Sequence, residues 1–364
     1  DFSNTTDMMV HFSGLWGEYP WTHYANVTAP FSGAMEHTTA TTFGMDLIGT
    51  ELAEFVNAHE LAHHWFGNLA TPNEWPEIWL NEGFASYAEV LWAEHSIGAD
   101  AAYDYLRAQR ESYIAWQDIE PMSSLYDPAF MWGGLVYDRG SLVVHMLRSV
   151  VGDEAFFSAL SRYLDTHNHG NVTTADLQAA VEAAHGESLE WFFAQWVYQP
   201  GDPAYQWGLI QTELEDGTWE VDVHIEQTAT GSWSMPVEIL LEDLHGGEHL
   251  VIVSTGDEPS STSFCMETSI VRAFFDPRSQ LLFSNQTRED GEPDNSALQC
   301  GAASHGQGSQ PESDTSWQGL NPHTTTARTS QCGCQSLPGS VPWAAPLMLF
   351  LGIYRRKATN LSDR

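Results

Sequence analysis

The chain has 364 residues and carries 49 acidic against 13 basic side chains, a formal net charge of −36. This length is enough for two domains whose cores are stable without many cross-links. A surface with so much negative charge repels phosphates, which argues against nucleic acid as a partner.

Helical periodicity dominates the chain from about residue 45 to residue 200. The predicted helices span 51–68, 76–94 and 101–117, and later ones begin near Gly134, Asp153, Thr174 and Leu189. The sequence therefore predicts a mainly helical domain over residues 1–200.

The pattern changes at Gly201-Asp202-Pro203, which interrupts the helices. Alternation of polar and apolar residues then predicts strands. The strand-like segments lie near Tyr205, Trp219, Pro236, His249 and Val271. They predict a small β-sandwich over residues 201–284.

The remaining residues divide into two segments. Residues 285–331 are rich in Ser, Gly, Thr, Gln, Asn, Asp and Pro, and their composition predicts a disordered linker. Residues 332–364 contain Cys332-Gly333-Cys334, an apolar run of 14 residues from Val341 to Tyr354, and a basic cluster. A membrane span needs ~20 apolar residues. The segment resembles the C-terminal sorting tails of myxobacterial surface proteins, and a marginal transmembrane anchor is the alternative.

Both interpretations of this segment predict an exported protein, located outside the cell or on its surface and attached there through the tail. In an oxidising compartment Cys265 can pair with Cys300, leaving Cys332 and Cys334 for processing or lipid attachment, although spacing alone leaves the pairing open. The chain begins at Asp1 without a methionine or signal peptide, so we expect a longer precursor and an incomplete N-terminal domain.

The most informative motif is His59-Glu60-Leu61-Ala62-His63. On a helix, residues four apart lie on the same face, so both imidazoles can reach one metal ion at ~2.0–2.1 Å. Glu82, nineteen residues beyond His63, can supply the third ligand. Three protein ligands leave one position open, as in catalytic zinc sites. Glu60 points away from the ligand face, which suits a general base acting on the attacking water.

From Asn57 to Ala85 the chain resembles the aminopeptidase N-type family of gluzincin zinc peptidases almost residue by residue. The resemblance implies one zinc ion per chain, held by His59, His63 and Glu82, and peptides with a free N-terminus as substrates. The family also carries a glutamate at the position of Glu89, two helical turns after Glu82, where it can orient a zinc histidine.

Two further segments are similar to the same family. Gly33-Ala34-Met35-Glu36 matches a strand that lines the substrate, and the resemblance implies that Glu36 binds the free α-amino group, although His37 replaces the usual asparagine. Tyr137-Asp138-Arg139-Gly140 matches a segment whose tyrosine stabilises the oxyanion, with Arg139 in place of a lysine.

Together these features predict an α+β protein, with a mainly helical, thermolysin-like gluzincin domain followed by a small β-sandwich and a disordered tail. The expected activity is zinc-dependent removal of N-terminal residues from peptides. A thermolysin-type endopeptidase shares the histidine motif but needs no amine anchor such as Glu36. A surface module that kept the fold and lost the chemistry is a second alternative, and intact Glu60 and Tyr137 argue against it.

Overall fold

A computed structural model of the protein describes residues 1–291 and the short strand Arg328–Thr329. The chain divides into two compact units, the first running from Asp1 to Gly201 and the second beginning at Asp202. The predicted sorting segment of residues 332–364 lies outside the described residues, as does most of the predicted linker. None of the helices in the described part of the chain is both long and apolar enough to cross a membrane.

The first unit is mainly helical. Its α-helices are α1 (Thr5–Trp16), α2 (Leu52–Ala62), α3 (Trp79–Ser96), α4 (Ala99–Gln117), α5 (Gly140–Val151), α6 (Asp153–Thr166), α7 (Thr174–His185) and α8 (Glu190–Trp196). A 3₁₀ turn, Trp75–Glu77, precedes α3, and a π-helical turn, Leu135–Arg139, runs directly into α5. The prediction had no helix at α1.

The helix predicted over 51–68 is wrong at its C-terminal end, because α2 stops at Ala62. The chain turns sharply at Gly67, which has φ +124. A Cβ atom on Gly67 would lie 1.9 Å from Oδ1 of Asn81. Only glycine therefore permits both this backbone conformation and the close approach of α3.

Helix α3 is the centre of the first unit. Every residue from Trp79 to Ala93 is buried, which is typical of a helix surrounded by other elements. Helices α2, α4 and α5 pack around it. Functional groups on α3 are therefore held in a dry and closely packed interior.

Two small sheets complete the first unit. In the order β1-β3-β2, β1 (Ala25–Ala29) runs parallel and β2 (Ala34–Met35) antiparallel to β3 (Ala40–Gly44). Strand β2 is thus an edge strand, with one side open to pair with another extended chain. The second sheet pairs β4 (Ala70–Pro72) with β5 (Gly170–Val172).

The second unit contains two four-stranded sheets, ordered β10-β7-β6-β12 and β11-β8-β9-β13. Their strands are β6 (Ala204–Glu213), β7 (Trp219–Gln227), β8 (Pro236–Asp243), β9 (Glu248–Ser254), β10 (Ser260–Met266), β11 (Ile270–Phe275), β12 (Asn285–Arg288) and β13 (Arg328–Thr329). Alternate residues of β7 and β8, such as Val221, Val223, Ile239 and Leu241, are buried, so each sheet has an interior face. Cys265 in β10 is disulfide-bonded, and its partner lies outside the described residues.

The linker predicted from residue 285 onward is wrong at its start, because β12 pairs in parallel with β6. The prediction also lacked β10, and β13 falls inside the predicted linker. All three strands lie at the edges of their sheets. Hydrogen bonds to one neighbour define such strands, and their polar sequences carry little of the apolar alternation by which buried strands are found.

Helices α3 and α5 meet at a pair of glycines, Gly83 and Gly140. A Cβ atom on Gly140 would lie 2.9 Å from the Cα atom of Gly83, and one on Gly83 would lie 3.1 Å from the Cα atom of Gly140. Each glycine adjoins a segment of interest, since Gly83 follows Glu82 and Gly140 ends the turn that contains Tyr137. The pair lets these two segments approach each other.

We expect Gly140→Ala to lower the free energy of unfolding by about 1–3 kcal/mol, the usual cost of overpacking a core. The matched control is Gly14→Ala in α1, where an added Cβ atom meets nothing within 4 Å. There the substitution should raise stability by about 0.5–1 kcal/mol. Urea denaturation measures both, and equal effects of the two substitutions would contradict a close contact at Gly140.

Candidate active site

The motif histidines converge on Glu82 in the interior of the first unit. His59 lies in the last turn of α2 and His63 at its C-cap, where the backbone is still helical. The Nε2 atoms of His59 and His63 are 3.3 and 3.4 Å from Oε2 of Glu82 on α3. All three side chains are buried.

The other ring nitrogens show which way each imidazole is protonated. Nδ1 of His59 is 2.7 Å from Oε1 of Glu89, and Nδ1 of His63 is 3.2 Å from the carbonyl oxygen of Phe66. A carboxylate and a carbonyl only accept hydrogen bonds, so each Nδ1 carries the proton. Each Nε2 atom faces the Glu82 carboxylate and would bind a metal ion there through its lone pair, once the ion has displaced any proton on that nitrogen. In metal sites, outer partners such as Glu89 and the Phe66 carbonyl group orient the histidine ligands.

These three residues fit a zinc ion. Their ligand atoms, two imidazole nitrogens and one carboxylate oxygen, all lie within 4.8 Å of one another. Two histidines and a glutamate are a ligand set of catalytic zinc, with one position left for water or substrate. Burial alone would raise the pKa of Glu82, but the neighbouring His63 and His59 outweigh it and hold this pKa well below its usual range.

A second cluster of titratable side chains shares His63 with the three ligands. Ligand atoms of Glu36, Glu60 and His63 also lie within 4.8 Å of one another. Burial lowers the pKa of His63, but the charges of Glu36 and Glu82 offset this and raise it above its ordinary value. Glu36 therefore lies close enough to the ligands for strong electrostatic interaction. Glu60 is buried, whereas Glu36 is half-buried.

The backbone of Glu36 is anchored to the loop that follows α2. Nδ2 of Asn68 donates a hydrogen bond of 2.9 Å to the carbonyl oxygen of Glu36. The other candidate substrate residues precede it, with Gly33 and Ala34 buried and the Met35 side chain exposed at the sheet edge. The hydrogen bond fixes the end of β2 beside the histidine helix.

The ring of Tyr137 stacks beside the ring of His59. Their ring centroids are 6.0 Å apart and the rings are nearly parallel, with an interplanar angle of 14°. Tyr137 is buried within the π-helical turn Leu135–Arg139. Such turns are rare and frequently occur at functional sites.

Arg139, which replaces the lysine of the resembling family, is directed away from the ligands. Its guanidinium is buried and donates to Tyr113 Oη (3.1 Å) and to the carbonyl oxygens of Gly201 (2.7 Å) and Trp196 (3.3 Å). It therefore ties the π-helical turn to the end of the first unit. The sequence offered no signal for these contacts, because Tyr113 lies 26 residues away and the two carbonyl groups 57 and 62 residues away.

The neighbouring histidines have other partners. Nδ1 of His64 is 2.7 Å from the hydroxyl of Tyr19, and burial, followed by the charge of His63, lowers the pKa of His64 to about 4, so it is neutral. Nδ1 of His37 is 2.9 Å from Oγ1 of Thr42 on the adjacent strand. The structure thus places neither ring among the metal ligands.

Sequence reasoning missed one residue of the outer shell. The Tyr105 hydroxyl on α4 donates a short hydrogen bond to Oε2 of Glu89, the carboxylate that contacts His59. A tyrosine in a helix is ordinarily a packing residue, and nothing in the spacing along the chain marked this one.

The model of the peptidase family M1 domain matches residues 4–196 of the chain. The chain is 31% identical over 198 residues to aminopeptidase M1 of Arabidopsis thaliana, a match that covers 50% of this chain and 22% of the relative. It is 35% identical over 198 residues to aminopeptidase M1-B of Oryza sativa subsp. japonica, covering 50% and 21%. The chain thus spans about a fifth of the length of these relatives.

Among solved structures, the chain is similar to an M1 zinc metallopeptidase from Deinococcus radiodurans, a mutant bound to a Tyr-Ser-Ala substrate. The identity is 32% and the TM-score 0.48, over 55% of this chain and 44% of the other.

We expect His59→Ala, His63→Ala and Glu82→Ala each to lose bound zinc, because removing one of three ligands leaves the ion poorly held. Glu60→Gln should retain zinc. His64→Gln is the matched control, since His64 adjoins a ligand in sequence but bonds to Tyr19. Zinc-to-protein ratios after dialysis give the answer. Retained zinc in the ligand variants, or zinc loss in Glu60→Gln, would contradict these assignments.

Proposed function

Because the chain belongs to peptidase family M1, a family of zinc metallo-aminopeptidases, we propose that it hydrolyses the N-terminal peptide bond of peptides with a free N-terminus. One observation carries the proposal. The carboxylates of Glu36 and Glu60 lie within 4.8 Å of a ring nitrogen of His63, one of the three proposed zinc ligands, so that side chains able to bind a positive charge lie next to the metal site.

The ligands His59, His63 and Glu82 would hold one zinc ion, which when bound polarises a carbonyl group and makes a neighbouring water more acidic. In the proposed mechanism Glu60 accepts a proton from the attacking water and passes it to the leaving amine. Its burial suits this role, because proton transfer then proceeds out of contact with bulk water.

Tyr137 is proposed to stabilise the oxyanion that forms as water adds to the peptide carbonyl. Its position across the His59 ring supports this role, since the phenol shares the buried interior with the ligands. A hydrogen bond from a positioned donor in a dry site is worth far more than one in water, because it requires no solvent reorganisation.

Glu36 is proposed to bind the substrate's α-ammonium group. A carboxylate paired with an ammonium in a partly dry cleft forms a charge-assisted hydrogen bond. The adjoining edge strand β2 offers Gly33, Ala34 and Met35 for pairing with an extended peptide. With the amine held at a fixed distance from the metal site, only the first peptide bond reaches the reacting groups.

Glu36→Ala separates this proposal from the thermolysin-type alternative. We expect the variant to keep zinc and to lose at least ~2 kcal/mol, or about thirtyfold, in kcat/KM toward free-amine peptides. N-acetylated peptides are the control, because they lack the ammonium. The wild type should cleave them very slowly, and Glu36→Ala should narrow the gap between free and blocked substrates. Internal cleavage of blocked peptides by the wild type at comparable rates would favour an endopeptidase.

We also propose that the enzyme is exported and that residues 332–364 direct its sorting or attachment to the cell surface. The support is the order of cysteine pair, apolar run and basic cluster in the sequence. Deleting these residues should release soluble enzyme with unchanged specific activity, because a polar segment separates them from the folded units. Cell fractionation tests this, and continued surface attachment of the truncated protein would contradict it.

A further inference from the structure

Helix α4 directs a row of polar side chains into the interior of the first unit. Tyr105, Gln109 and Ser112 are spaced by four and three residues and so lie on one helix face. Gln109 and Ser112 are buried, and Tyr105 is partly buried. A buried polar group is costly unless it is hydrogen-bonded, so their partners explain why apolar residues do not occupy this face.

The partner of Tyr105 is the carboxylate that contacts a proposed zinc ligand. Its hydroxyl donates to one oxygen of Glu89, whose other oxygen is 2.7 Å from Nδ1 of His59. Both oxygens of the Glu89 carboxylate are thereby held by hydrogen bonds. Rotation of its carboxylate, which would release the His59 ring, requires the Tyr105 hydrogen bond to break.

Ser112, toward the C-terminal end of the same helix face, contacts the turn that contains Tyr137. Its hydroxyl donates a hydrogen bond of 2.7 Å to Oδ2 of Asp138, the residue next to Tyr137 in the π-helical turn. The turn is thus attached to α4 one residue from the proposed oxyanion donor.

Gln109, between the two, joins the helices that carry the site. Its amide nitrogen donates to the carbonyl oxygen of Ser86 on α3 (3.3 Å), and its amide oxygen accepts from the hydroxyl of Ser141 on α5 (2.8 Å). Helix α3 carries Glu82, and α5 continues the Tyr137 turn. One helix face therefore contacts both halves of the site.

We propose that α4 is the positioning element of the active site, in which Tyr105 orients His59 through Glu89 and Ser112 holds Tyr137 in place through Asp138. Neither residue has a role in binding substrate. The inference rests on the proposed function, since it gives Tyr137 its task. It separates two effects along one helix: the N-terminal part of the face controls metal affinity, and the C-terminal part controls the rate of the reaction.

Tyr105→Phe and Ser112→Ala test the two halves, each by its own readout. Tyr105→Phe should weaken zinc binding about 10–100-fold in competition with a chelator, the usual effect of losing an outer-shell partner. It should also change the visible absorption spectrum of the cobalt-substituted protein. Ser112→Ala should leave the zinc affinity and the cobalt spectrum unchanged and should lower kcat, with KM little affected. Ser112→Thr, which restores a hydroxyl, should recover most of the loss.

Two further variants distinguish positioning from mere stability. Leu106→Val trims a fully buried apolar residue of the same helix and should lower Tm without moving zinc affinity or kcat. In the Tyr137→Phe background, where kcat should already be ~10²–10³-fold lower, Ser112→Ala should add little, because both act through one group.

The inference is overturned if Tyr105→Phe binds zinc as tightly as the wild type, or if Ser112→Ala lowers Tm while kcat stays at the wild-type value. Zinc affinity and the cobalt spectrum do not depend on peptidase activity. A wild-type protein without aminopeptidase activity would therefore contradict the proposed function, while Tyr105 would still be tested by its effect on the metal.

Discussion

The structure of the first unit depends on placing a carboxylate between two imidazoles in the buried interior. Glu82 faces the Nε2 atoms of His59 and His63 in a buried site, where unpaired polar groups are costly. The hydrogen bonds around these three side chains meet the same requirement. The outer ring nitrogens are satisfied by Glu89 and Phe66, so only the inner atoms remain for a metal ion. A metal ion bound by these inner atoms would therefore also satisfy the last polar groups of the buried site.

A site of this kind needs rigid support, and the packing of helices supplies it. Helix α3 is buried from Trp79 to Ala93, and Gly83 and Gly140 let it approach α5 so closely that a Cβ atom added to Gly140 would lie 2.9 Å from the Cα atom of Gly83. The zinc glutamate and the tyrosine turn thereby become neighbours through backbone contact. Long side chains at this crossing would hold them farther apart and leave a looser geometry, whereas interiors packed to native density resist such shifts.

Predictability from the sequence follows the range of the interactions. The spacing of His59 and His63 is local, and helical geometry alone places both rings on one face. Glu36 and Tyr137 carry no local signal of function, and only the resemblance to a family pointed to them. Arg139 is the clearest limit. It stands where the family pattern has a lysine, yet its guanidinium donates to the carbonyl oxygens of Trp196 and Gly201, contacts determined by the tertiary structure.

The fold shows the same division. Helices with strong apolar periodicity were predictable, but the helix predicted over 51–68 extended past the end of α2 and through the turn at Gly67, where the backbone approaches Asn81 in a way that periodicity does not record. Edge strands such as β12 were missed because hydrogen bonding to a neighbour, and not burial, defines them. Burial leaves a periodic trace in the sequence, whereas pairing at a sheet edge leaves almost none.

The electrostatics of the site explain why a free N-terminus is the expected feature of its substrate. Glu36 and Glu60 bring two carboxyl groups close to His63, which itself faces Glu82, on a chain that already carries a net charge of −36. Like charges in a low-dielectric cleft repel each other strongly unless positive charge joins them. In the proposed function, zinc would supply part of this charge and an α-ammonium group beside Glu36 would supply the rest. A blocked peptide brings no such charge, so it leaves a desolvated carboxylate unpaired. Under the proposed function, selection for peptides with a free N-terminus would therefore follow from the balance of charge in the site.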